Sequence, residues 1–242
     1  MIWALLILLG VIAAIHWFEY RRCIQEYTFA QPKTSAEIGD LIGEKTPIVA
    51  EIGALPWRAK IASDASWPVS VGDGIEIPVS EWIKERHDIQ NSAELAQTMG
   101  LTTGLADIQD GRQWWWLPGF QDITVDILEP GQTLGLRWVG AERHWIGCSD
   151  GEPLTLWLVH SRYRKFLPTA LVDSDPWKLT VGDAPWIGRV QYIEVIVRPG
   201  WCVGIPAQWG VAARGVDGTE PSWIWTADQH SPLSLAITNI GM

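Results

Sequence analysis

The punctuation of the chain after Gln113 constrains the fold more than any other feature of the sequence. Short apolar runs follow one another, each closed by Gly, Pro or Asp. Ile123–Ile127, Leu134–Val139, Leu154–His160, Thr169–Val172, Gly188–Val197, Trp201–Ile205, Val211–Arg214, Ser222–Thr226 and Leu233–Asn239 read as strands. Turn chemistry falls between them at Glu129-Pro130-Gly131, Asp150-Gly151, Pro199-Gly200 and Asp217-Gly218. A chain interrupted this often has no room for long helices and must bury apolar faces by pairing strands. That predicts a mainly β fold of the sandwich or jelly-roll kind.

Upstream, Pro47–Ile52 and Gly74–Val79 read as further strands and Ser80–Arg86 as a short helix. Thr34-Ser35-Ala36-Glu37 and Asn91-Ser92-Ala93-Glu94 are capping boxes, whose side chains satisfy the free amides at a helix start. The first helix is expected to run to about Ile42 and the second to end near Gly100, a C-terminal cap. The expected organisation is a segment 1–24, a connector with a short helix at 25–46, and one β domain at 47–242.

The segment Ile2–Phe18 carries no charge. As a helix it spans roughly 25 Å, the short end of a bilayer crossing. Trp3 and Trp17 stand at its ends as interfacial aromatics would, and Arg21 and Arg22 follow at once. The expectation is a single transmembrane anchor in contact with the lipid bilayer through residues 2–18, with the C-terminal domain on the cytoplasmic side. A signal peptide is the rival, but its basic start and small-residue cleavage site are missing.

Acidic residues outnumber basic ones 28 to 18, for a net charge of −10. No Lys/Arg cluster offsets this, which argues against nucleic acid as a partner. Cys23, Cys148 and Cys202 are too scattered for a disulfide framework or a zinc site, leaving unpaired thiols or at most one bridge. Seventeen Trp imply extensive aromatic packing. Trp114-Trp115-Trp116 reads as a strand end packed on the domain, with a glycan- or lipid-binding platform as the alternative. No nucleophile elbow, phosphate loop or zincin motif is present.

The stretch Tyr192–Arg214 carries a resemblance. Ile193, Val195 and Val197 alternate with Tyr192, Glu194 and Arg198, Pro199-Gly200 turns the chain, Trp201–Ile205 forms an apolar strand, and Pro206 to Trp209 closes it. This resembles the C-terminal half of the JmjC-like (cupin-like) 2-oxoglutarate oxygenase barrel, and EKTPIVAEIGALPW (residues 44–57) is similar to the opening of such domains. The resemblance implies a double-stranded β-helix (cupin jelly roll) with a few short helices, and Pro199, Gly200, Pro206 and Trp209 as its turn residues.

In the family, iron is held by a His-x-Asp/Glu pair and a later His. No His-x-Asp or His-x-Glu occurs in this chain. Leu154–Pro168 is similar to the family strand that follows the pair, which places the missing ligands at Trp145–Asp150, around Gly147, Cys148 and Ser149. The later ligand falls at Val211. His144 is the weak candidate for a metal ligand, and Lys165 for the basic group that binds the 2-oxoglutarate carboxylate. His160 reads as a buried, hydrogen-bonded histidine and His87 as exposed.

The resulting expectation is a non-catalytic, membrane-anchored cupin-like structural or interaction protein with no cofactor. By analogy it is similar to virion proteins of large DNA viruses, as a minor capsid or inner-membrane protein linking a shell of capsid components to a bilayer. The alternatives are an Fe(II)/2-oxoglutarate oxygenase with atypical ligands, and the glycan or lipid module.

Overall fold

The computed structural model describes residues 2–22, 28–33, 37–38, 41, 44–53, 68–72, 75–85, 121–167, 175–230 and 234. The expected strands Thr169–Val172 and Leu233–Asn239, the helix begun at Asn91, the Trp114–Trp116 cluster, Cys23 and His87 lie outside them, Ser234 excepted.

The chain opens with helix α1, Ile2–Arg21, 20 residues long. Its apolar side chains are exposed, from 42% at Ile12 to 79% at Trp3, and the Arg21 guanidinium lies 5.0 Å from the centre of the Trp17 ring. Among the described residues no helix is long and apolar enough to cross a membrane.

Strand β1 (Ile48–Glu51) follows, then a small hairpin of β2 (Pro68–Gly72) and β3 (Ile75–Pro78), and helix α2 (Val79–Glu85). The main body is β4 (Gln121–Leu128), β5 (Thr133–Trp138), β6 (Arg143–Gly151), β7 (Leu154–Val159), β8 (Tyr192–Val197), β9 (Trp201–Pro206), β10 (Gly210–Gly215) and β11 (Ser222–Gln229). These form a five-stranded sheet ordered β1-β9-β6-β11-β4 and a four-stranded sheet ordered β5-β10-β7-β8, with every pairing antiparallel. The expected mainly β class is observed.

Successive strands change sheet. The chain passes from the five-stranded sheet at β4 to the other at β5, back at β6, across at β7 and β8, back at β9, across at β10 and back at β11. Pro199-Gly200 makes one of these crossings. Gly200 has φ +84°, which a side chain would oppose, and the Trp201 amide donates to the Arg198 carbonyl at 2.9 Å. Pro206–Trp209 makes another, with Gln208 at φ +69° and the Trp209 carbonyl accepting from the Val139 amide at 2.8 Å.

Between the sheets lies an apolar core that includes Ile146, Cys148, Leu156, Leu158, Val203, Trp209, Val211 and Ile224. The outer face of the five-stranded sheet is covered by α2 and the connector, through Trp82, Val79 and Ile38 against Trp145 and Trp225. The outer face of the four-stranded sheet is covered by the segment after β7, including the 3-10 helix Ser161–Phe166.

Two elements differ from expectation. β6 is not among the runs singled out above, because both its faces are buried and no polar alternation marks it. The expected strand Gly188–Val197 is a 3-10 turn at Ile187–Arg189 followed by β8. At the first capping box, Glu37 accepts from the Lys33 amide at 2.9 Å.

Candidate functional site

Strand β6 sorts the candidate residues by face. In a strand, successive side chains point to opposite sides. Ile146 and Cys148 belong to the core between the sheets, so His144 shares that inward side. Arg143, Trp145, Gly147 and Ser149 face the other way. Trp145 lies in the outer core, and its Nε1 donates to Gln229 Oε1 at 3.0 Å. A Cβ on Gly147 would collide with the Trp225 indole, so glycine here is the seat of that ring. Ser149 is the extra residue of a bulge: Cys148 pairs with Ile224 and Asp150 with Trp223, and the Ser149 hydroxyl donates to the Trp223 carbonyl at 3.0 Å.

Of the three positions near the expected ligand pair, only Cys148 therefore points inward. It is fully buried, its Sγ donates to the Asp150 and Glu152 carbonyls at 3.5 Å each, and burial pushes its thiol up to about 12. Cys202, paired beside Gly147, lies in the outer core and is likewise held protonated by burial, so the two thiols belong to different layers.

Val211 points inward on β10, 3% exposed, level with Arg137 of β5 and Leu158 of β7. It packs in the same apolar core as Cys148. Val211 follows the β9–β10 crossing and His144 follows the β5–β6 crossing, so both sit at one end of the two-sheet body. Cys148 lies four residues further along β6, about 13 Å away from His144.

His144 is buried, but the polar cluster it anchors reaches the surface: Asp228 is 31% exposed and Arg137 is exposed. His144 Nδ1 lies 2.6 Å from Asp228 Oδ1 on β11, and His144 Nε2 lies 2.6 Å from Arg137 Nη2 on β5. A guanidinium can only donate, so Nε2 must accept and the ring proton must sit on Nδ1, donated to Asp228. The imidazole is neutral. Burial lowers its pKa, helped by the Arg137 charge and opposed by Asp228. For Asp228, burial acts to raise the pKa, but the hydrogen bond from His144 and the Arg137 charge help outweigh it and hold the carboxyl ionised. The cluster joins the edge strand of one sheet to two central strands of the other.

Lys165 and His160 stand apart from this cluster. Lys165 is exposed on the 3-10 helix with its ammonium 5.1 Å from the centre of the Phe166 ring. His160 is buried, accepts from the Arg162 amide at 3.1 Å as the cap of that helix, and meets Trp209 edge-on at 5.0 Å.

These residues do not fit an iron centre. Val211 offers no donor atom, Cys148 lies in the apolar core with its thiol turned to two backbone carbonyls, and both ring nitrogens of His144 are engaged. Among the described residues no three His, Cys, Asp or Glu side chains are grouped to hold a metal. Arg137 and Asp228 were not singled out from the sequence. Asp228 had a signal, since it falls on the inward parity of β11 with Ile224 and Thr226. No family model matches the chain, and no curated protein matches it.

Proposed function

We propose that this chain is a membrane-anchored, non-catalytic structural or interaction protein built on a double-stranded β-helix (jelly roll). The jelly-roll reading is supported by the strand order: numbering β4–β11 as one to eight, the sheets run six-three-eight-one and two-seven-four-five, with crossings between sheets at the turns. That order is how a ribbon of paired strands wraps around a single core.

The observation that carries the non-catalytic reading is the filled interior. The positions where the resembled oxygenases place iron ligands hold Cys148 and Val211, 0% and 3% exposed and packed in one apolar cluster. Folds outlive their sites, and ligand positions taken up by core packing suit shape and contact rather than turnover. Incubation of the full chain with Fe(II), ascorbate and 2-oxoglutarate is expected to form no succinate above the protein-free rate. Enzyme-dependent succinate would overturn the reading.

The anchor is supported by α1. Its apolar side chains have no partner elsewhere in the described chain, and the sequence continues the apolar run through Trp17 and Phe18 before Arg21 and Arg22. The C-terminal domain then lies on the cytoplasmic side, or faces the shell in the analogous virion placement. Alkaline extraction of membranes from cells making the full chain should leave it in the pellet, and release into the supernatant would remove the anchor from the account.

A further inference from the structure

We infer that β8 is a homotypic docking edge, pairing antiparallel with β8 of a second copy in the one register that sets Glu194 against Arg198. β8 is the last strand of its sheet, hydrogen-bonded to β7 on one side with no strand on the other among the described residues. An open edge offers a row of free backbone donors and acceptors, and proteins ordinarily blunt such edges. In the two large sheets, edge strand β1 is bridged by Ala30 and edge strand β5 is interrupted by a register shift against β10.

β8 has none of these devices. Its sequence, YIEVIV, contains no Pro, Lys or bulge, and it keeps an unbroken register with β7 from Tyr192 to Val197. Among the described residues outside α1, the exposed large apolar ones are Phe29, Ile75, Val181, Trp186, Tyr192 and Ile196. Four of these six fall on β8 or in the segment that leads into it, with Ile196 at 64%.

The partner is identified by self-complementarity. A two-fold pairing must oppose residues on the same face, or every inner side chain would meet an outer one. Three registers near the strand centre satisfy this. Centring on Glu194 sets two carboxylates face to face, which is unfavourable. Centring on Val195 leaves Glu194 opposite apolar Ile196. Centring on Ile196 places the two exposed isoleucines against each other and each Glu194 opposite the other copy's Arg198. Glu194 is held on the outer face by the Trp177 indole, whose Nε1 donates to Glu194 Oε1 at 3.0 Å, and Arg198 is exposed beyond the strand end. The inference stands on the edge itself and does not depend on whether the interior is catalytic.

The test is sedimentation of the full chain in density-matched detergent. The wild type is expected to dimerise, with Glu194→Arg and Arg198→Glu each weakening association about tenfold or more. The double reversal is expected to restore the dimer, which also shows that the single variants fold. A wild type that stays monomeric at about 10 µM, single reversals that leave the dimer intact, or a double reversal that remains monomeric would each overturn the inference.

Discussion

At the scale of single residues, the cluster of Arg137, His144 and Asp228 makes the clearest demand on solution conditions. His144 is held neutral and its pKa lies below the usual 6.5, while Asp228 is held ionised below the usual 3.8. Between each lowered value and the usual one, the unfolded chain binds more protons than the folded chain, so stability rises with pH in both windows. The His144 contribution is present above about pH 6.5 and is lost as the pH falls through its folded value, with the Asp228 contribution following in stronger acid. Urea unfolding at pH 7, 6 and 5 should therefore show a falling midpoint, and His144→Gln should flatten that slope. A midpoint that climbs toward pH 5 contradicts the assignment.

Gly147 makes a second prediction at the same scale. Its missing side chain seats the Trp225 indole, so Gly147→Ala should cost about 1–3 kcal/mol, measured as a shift in denaturation midpoint. Gly204 plays the same part beneath Trp145, whose ring would lie 2.8 Å from an added Cβ. Neither pairing could be read from the sequence, because each joins residues far apart along the chain. His144 was legible as a candidate, but its partners were not: Arg137 and Asp228 lie on strands whose mutual register only the fold sets.

At the scale of elements, alternation and turn chemistry located β5, β7, β9, β10 and β11 to within a few residues. β6, the central strand of the five-stranded sheet, escaped because Arg143–Ser149 is buried on both faces. The turns were legible as turns, yet not as crossings between sheets, since local sequence does not say which neighbour a strand will join. The connector is fixed to β6 by two contacts of unequal weight. Arg143, fully buried with its pKa lowered by burial to about 9, donates from Nη1 to the Thr46 carbonyl at 3.0 Å and the Gly204 carbonyl at 3.1 Å. Lys45 pairs with Glu142 at 2.9 Å nearer the surface. Arg143→Ala should cost about 3 kcal/mol and Lys45→Ala, at a partly buried pair, about 1–2 kcal/mol, compared by urea midpoint. Equal costs would mean that the buried guanidinium is not the principal latch.

At the scale of the whole molecule, two sheets close over an apolar interior while α1 and the β8 edge leave apolar groups outside. That division fits a body that holds its shape and makes its contacts at the periphery. The central claim is that the interior is packing rather than a site, and iron binding tests it most directly. Anaerobic titration of the full chain with Fe(II) and 2-oxoglutarate, followed by visible absorption and bound iron, is predicted to give no charge-transfer band and no stoichiometric metal. A weak visible band that saturates at one iron per chain would contradict it.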